Sequence, residues 1–278
     1  MVCNFSFVKI LLFGVFFLSV IEFNGQTQEQ LIEGFYNGTN AQEKIYFGKK
    51  FLSKAKSEED TSGVYTGYSL LSSIYEHKDC ILYADSLIDL TKNRSSFHYP
   101  AMAYIHKANY YTNKFDFTRT IDNIILAKAY GEKHGNENII SECNALLGMA
   151  KIKLGDPEAA IELFRQNLYK SRNDTTTVLG TALYLSDIYN LASGYNEIQV
   201  IDSAKYYNSL GRKIAKKEGD QFTIRYFNLN ASFTEFYDKN LDVAKDSLLS
   251  LLPFLKKEND RLNIMESYYY LGKIYSLQ

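Results

Sequence analysis

The chain has 278 residues, and its 31 lysines and arginines nearly balance 32 aspartates and glutamates, for a formal net charge of −1. That balance speaks against nucleic-acid binding by this stretch, because neutralising phosphates takes a basic face. Only 3 prolines interrupt it and tryptophan is absent, while 23 tyrosines and 18 phenylalanines supply bulk for helix–helix packing.

The first predicted element is a targeting segment. Lys9 precedes the apolar run Ile10–Ile21, which Glu22 ends. One basic residue before a short apolar run fits a secretory signal, and the run is short for a membrane span. Residues 1–25 are therefore expected to be a signal peptide cleaved near Gly25, with an uncleaved anchor as the alternative. On this reading the protein is exported, and is periplasmic or held at the membrane facing the periplasm. Cys3 precedes the apolar run, so it is not a lipoprotein cysteine. For Cys80 and Cys143, which fall in different repeats, solitary burial is expected rather than a disulfide.

Residues 26–63 read as a helical starter pair, with Thr39 or Asn40 capping its second helix. From Val64 onward apolar residues recur at spacings of three and four, and strand-like alternation is absent. One frame then returns: an aromatic or leucine, a small residue, a tyrosine three places on, and an alanine 12 after the small residue. Its clearest copy is Leu146–Phe164, where Gly148 is the small residue and Ala160 follows 12 later. Between them, Gly155 ends one helix, Asp156 caps the next and Pro157 sits in its first turn. Ser72 with Ala84, Ala108 with Thr120, and Ser232 with Ala244 repeat the offset of 12, while Ser186 and Ala204 are 18 apart. The small residues at 72, 108, 148, 186, 232 and 272 are spaced by 36, 40, 38, 46 and 40. Close helix crossings need such residues, so Ser72, Ala84, Ala108, Gly148, Ala160, Ser186, Ala204, Ala244 and Gly272 are assigned to repeat packing.

This pattern resembles the tetratricopeptide repeat (TPR) family, over Val64 to Gln278. The resemblance implies an all-α, right-handed superhelical solenoid of antiparallel helix pairs with an unusually long period; HEAT-like pairs are the alternative fold. The last segment, Ser267–Gln278, reads as the first helix of a sixth pair, so the array over 64–278 is expected to end on an incomplete repeat. In the TPR family the concave surface is lined mainly by the first helix of each pair. Carried over by frame, the lining residues are Glu76, Ile105, Asn109, Thr112, Met149, Ile152, Asp187, Asn190, Phe233 and Phe236. The residue three before the small position is Ser69, Ile105, Ala145 and Leu183 in the first four repeats, never lysine, so no clamp for a terminal carboxylate is expected.

No catalytic set, metal site or cofactor motif emerges. His77 and Cys80 form an H-x-x-C without the further ligands that zinc needs. His98, His106 and His134 suit surface or cap positions. The expected function is a non-catalytic scaffold that holds a protein or peptide segment in the groove. A second reading comes from resemblance to bacterial regulators in which an exported TPR array precedes a transmembrane helix and a helix-turn-helix domain or kinase. On it, this chain is the sensory part of a transcription regulator, and membrane association follows. An enzyme on a helical superhelix is the third, and would require a cleft glutamate with a raised pKa.

Overall fold

A computed structural model describes residues 26–93, 98–173, 175 and 177–278. The expected signal segment lies outside the described residues. Among them, no helix is long and apolar enough to cross a membrane.

The described chain is all helix and turn. Its helices in order are α1 (Gln28–Asn37), α2 (Ala41–Ser57), α3 (Thr61–Ser72), α4 (Cys80–Thr91), α5 (His98–Asn113), α6 (Phe117–His134), α7 (Glu137–Lys153), α8 (Pro157–Ser171), α9 (Val178–Glu197), α10 (Ile201–Lys217), α11 (Gln221–Tyr237), α12 (Leu241–Lys257) and α13 (Arg261–Leu277). Each residue pair that the repeat frame joins falls on two consecutive helices: Ser72 and Ala84 on α3 and α4, Gly148 and Ala160 on α7 and α8, Ser232 and Ala244 on α11 and α12. The fold is thus an all-α helical solenoid of consecutive packed pairs. Contacts divide it into two compact units, residues 26–146 and Leu147–Gln278, whose boundary falls inside α7.

One turn recurs throughout. At Glu59, Phe115, Gly135, Gly155, Gln199, Gly219, Lys239 and Asn259 the backbone takes a positive φ, between 52° and 82°. The next residue then does two things. Its N–H closes the helix behind it, five residues back: Asp60 to the Ala55 carbonyl at 2.9 Å, Asp156 to Lys151 at 2.9 Å, Asp260 to Leu255 at 3.0 Å. This bond satisfies a carbonyl that the helix end leaves open. The side chain of the same residue opens the helix ahead. Asp60, Asp116, Asn136, Asp156, Asp220 and Asp260 each accept the N–H three residues on, at 2.9 to 3.3 Å. Val200 and Asn240 hold the same place without a side-chain cap.

These turns mark the chain at 115, 135 and 155 and again at 199, 219, 239 and 259. The repeat in those stretches is therefore 40 residues, two helices of about five turns each with a two- or three-residue connection. In the starter pair, Asn40 rather than Thr39 caps α2, accepting from Glu43 N at 3.0 Å. Thr39 instead donates to the Glu43 carboxylate from both its N–H and its hydroxyl.

In the N-terminal unit, Leu31, Phe35, Phe51, Leu52, Leu71 and Ile74 join α1, α2 and α3 into one core. In the C-terminal unit a larger core runs from α9 to α13 through Tyr189, Phe227, Leu229, Leu248 and Ile274. Small residues sit where helices cross most closely. Ala84, Ala108, Ala160, Ala204, Ala244 and Ser72 are fully buried. A Cβ on Gly148 would lie 2.4 Å from the Phe164 ring, and one on Gly211 only 2.1 Å from Phe227. Ser186 is half-buried, and Gly272 is exposed with no described atom within 4 Å of where its Cβ would be.

First helices of successive pairs also bond directly. Tyr226 donates to Asp260 at 3.0 Å, the Tyr237 and Tyr270 hydroxyls are 2.8 Å apart, and Asn196 donates to the Asn230 side chain at 2.8 Å. These partners are 33 or 34 residues apart. Yet the capping residues of α11 and α13, Asp220 and Asp260, are 40 apart. Successive first helices are therefore displaced along their axes by about six or seven residues, close to 10 Å.

Candidate functional site

The C-terminal unit carries an open cleft formed by first helices of three pairs. Met149, Ile152 and Lys153 come from α7, Asn190, Ser193 and Glu197 from α9, and Glu266 from α13; Phe164 of α8 closes its back. The spacing is that of a helix face: 149, 152 and 153, then 190, 193 and 197. It encloses about 10 Å³, room for roughly one water. That is far below the several hundred Å³ of a small-molecule cavity. A ligand here has to lie across the surface rather than inside it.

The groove residues expected from the sequence are placed unevenly. Met149, Ile152 and Asn190 line this cleft. Ile105 is fully buried on α5. Phe233 and Phe236 belong to the core of the C-terminal unit and pack on Tyr270, with ring centroids 4.7 and 5.0 Å apart. Thr112 Oγ1 donates to the Ala108 carbonyl at 2.9 Å, and Asn109 is buried one turn before it. Glu76 is exposed in the connection between α3 and α4, on no helix. Lys153, Ser193, Glu197 and Glu266 were outside the expected set.

Asp187 faces α8, not the cleft. It is 7% exposed, and Ser171 Oγ donates to its Oδ2 at 2.6 Å. Burial pushes its carboxyl up to about 7, although the Ser171 and Asn167 hydrogen bonds favour the ionised form. His106 departs from the surface role expected of it. It is buried on α5 with Nδ1 2.7 Å from Ser72 Oγ, and burial lowers its pKa to about 4. Cys80 is buried beside them, its thiol donating to the Ser72 carbonyl at 2.9 Å. Burial lifts that thiol to about 12, so it is an inert packing group. Cys80 and Cys143 are both free and buried.

In the cleft, burial raises the Glu266 carboxyl, with Lys153 opposing and Glu197 adding to the rise. Among the described residues no three His, Cys, Asp or Glu side chains are grouped to hold a metal.

No family model matches the sequence, and no curated protein is significantly similar to it. Among solved structures, the fold is similar to that of a Rap protein complexed with competence and sporulation factor. The TM-score is 0.64 at 11% identity, over 89% of this chain and 68% of that one. At that identity the likeness defines the fold, a helical repeat of TPR-like type, and no more.

Proposed function

We propose that the chain is a non-catalytic scaffold that binds a peptide or an extended protein segment across the first helices of its C-terminal unit. The observation that carries this reading is the cleft itself. It is open, draws on α7, α9 and α13, and mixes apolar, amide and carboxylate groups without enclosing a small-molecule volume. An elongated ligand can touch several repeats at once, which is how stacked repeats gain affinity from shallow surfaces. The similar fold of a Rap protein solved with a bound factor is in keeping with it.

The test is site-specific photo-crosslinking in the source organism. Benzoylphenylalanine at Ser193 is expected to yield a discrete peptide or protein adduct by mass spectrometry. The same group at Tyr206, exposed on the second helix α10, is expected to yield none. Equal adducts at both positions, or none at Ser193, would overturn the assignment.

One observation favours the enzyme alternative: Glu266 is a cleft glutamate with a raised pKa. Catalysis by such a group depends on a site that excludes water, and this cleft has no enclosed room for a substrate. Export is carried as part of the proposal, supported by the apolar run Ile10–Ile21. N-terminal sequencing of the mature protein should then start near Gln26.

A further inference from the structure

Asn190 has an unusual position. It is 5% exposed, it lines the cleft, and its side chain makes no hydrogen bond with a described residue. An amide that turns to a cleft and not to a neighbouring side chain takes its hydrogen bonds from whatever fills that cleft, water or ligand. Its carbonyl and NH2 are the complement of one peptide group, acceptor to N–H and donor to C=O.

The charges around it are just as incomplete. Glu197 is the last residue of α9, where the open carbonyls of a helix end add negative potential. Glu266 faces the same cleft from α13. Neither carboxylate has an ion-pair partner among the described residues, and Lys153, the one cation among the described residues lining the cleft, acts on Glu266 through its charge but bonds to neither. With two carboxylates against one ammonium, the described lining residues carry net negative charge. Burial holds Glu266 partly desolvated, a state that a cation would relieve.

We infer that the cleft takes a cationic peptide, its lysine or arginine side chain seated between Glu197 and Glu266 while Asn190 bonds the neighbouring peptide group. This rests on the peptide-binding reading and specifies its ligand. Lys153 lies on the α7 side and would meet an acidic group or a carbonyl further along the same ligand.

The experiment uses three pools of acetylated, amidated, fluorescein-labelled pentapeptides, random except for a central Arg, Gln or Glu, followed by anisotropy. The wild-type protein is expected to bind the Arg pool roughly tenfold more tightly than the Gln pool, a difference of about 1.4 kcal/mol. The Glu pool should bind least. Raising the salt should weaken the Arg pool selectively. The double variant Glu197→Gln/Glu266→Gln should bind the Arg and Gln pools alike, at the wild-type affinity for the Gln pool. Asn190→Ala should weaken every pool. Circular dichroism melts establish that each variant is folded. If the wild type binds Arg and Gln pools equally, or the double variant keeps the Arg preference, the cationic ligand is overturned and peptide binding stands. If the wild type binds no pool, the peptide-binding reading falls with it.

Discussion

Asp187 and His106 are both buried polar residues, but burial acts on their stability contributions with opposite sign. The Asp187 carboxyl has a folded pKa of about 7, against 3.8 for an ordinary aspartate. The folded state therefore holds this proton more tightly than the unfolded one. Its contribution is greatest below about pH 4 and is lost as pH rises through 7, a penalty of about 4 kcal/mol above that. Asp187→Asn keeps an acceptor for Ser171 and removes the buried charge. It should raise the melting temperature at pH 8 and leave it nearly unchanged at pH 4; equal shifts at both would refute the assignment. For His106 the folded pKa of about 4 lies below the 6.5 of an ordinary imidazole. Its contribution is present above pH 6.5 and is lost as pH falls through 4, by about 3 kcal/mol. His106→Gln should flatten that acid limb, as read from urea midpoints between pH 7 and 4. Neither role was legible in the sequence. A histidine or aspartate at a helix position looks alike on the inner and outer face until the pairing of helices is known.

At the scale of elements, the shared turn residue sets the pattern. Asp220 bonds Ala215 with its N–H and Thr223 with its carboxylate, ending α10 and starting α11 at one position. Asp220→Ala should cost about 1 kcal/mol through the lost cap alone. Val200 holds the same place without a cap, so Val200→Asp should gain about as much. Paired thermal melts test both, and a destabilising Val200→Asp would show that the turn does not work as described. Much of this was readable. Gly155, Asp156 and Pro157 identified one such turn, and the offset of 12 placed the helix pairs. The regular spacing was missed because the turns tolerate Glu, Phe, Gln, Lys and Asn as well as Gly at the positive-φ place. Those residues look like helix surface in a sequence.

For the molecule as a whole, the displacement of successive first helices explains the cleft. The sequence frame treats equivalent positions as level with each other, so it led to Phe233 and Phe236. With each helix set back by about two turns, an earlier residue of the next helix comes level instead. Glu266, six before Gly272, is such a residue, and no frame of equal levels reaches it. Lys153, Ser193 and Glu197 needed less: they continue the faces of Met149, Ile152 and Asn190 toward the helix ends. Stacked repeats also confine damage to near neighbours. Phe233→Ala should cost about 3–5 kcal/mol. Hydrogen exchange should quicken in α11, α12 and α13 and stay unchanged in α1, α2 and α3. A uniform increase along the chain would contradict near-neighbour stability. The shared turns also dictate where such a chain can change its length. Deleting one residue between two of them rotates everything beyond by about 100° about the helix axis, turning core side chains to solvent. Insertions and losses in related proteins should therefore gather at 38–40 and 73–79, described connections without a shared residue, and spare the stretch from 199 to 260.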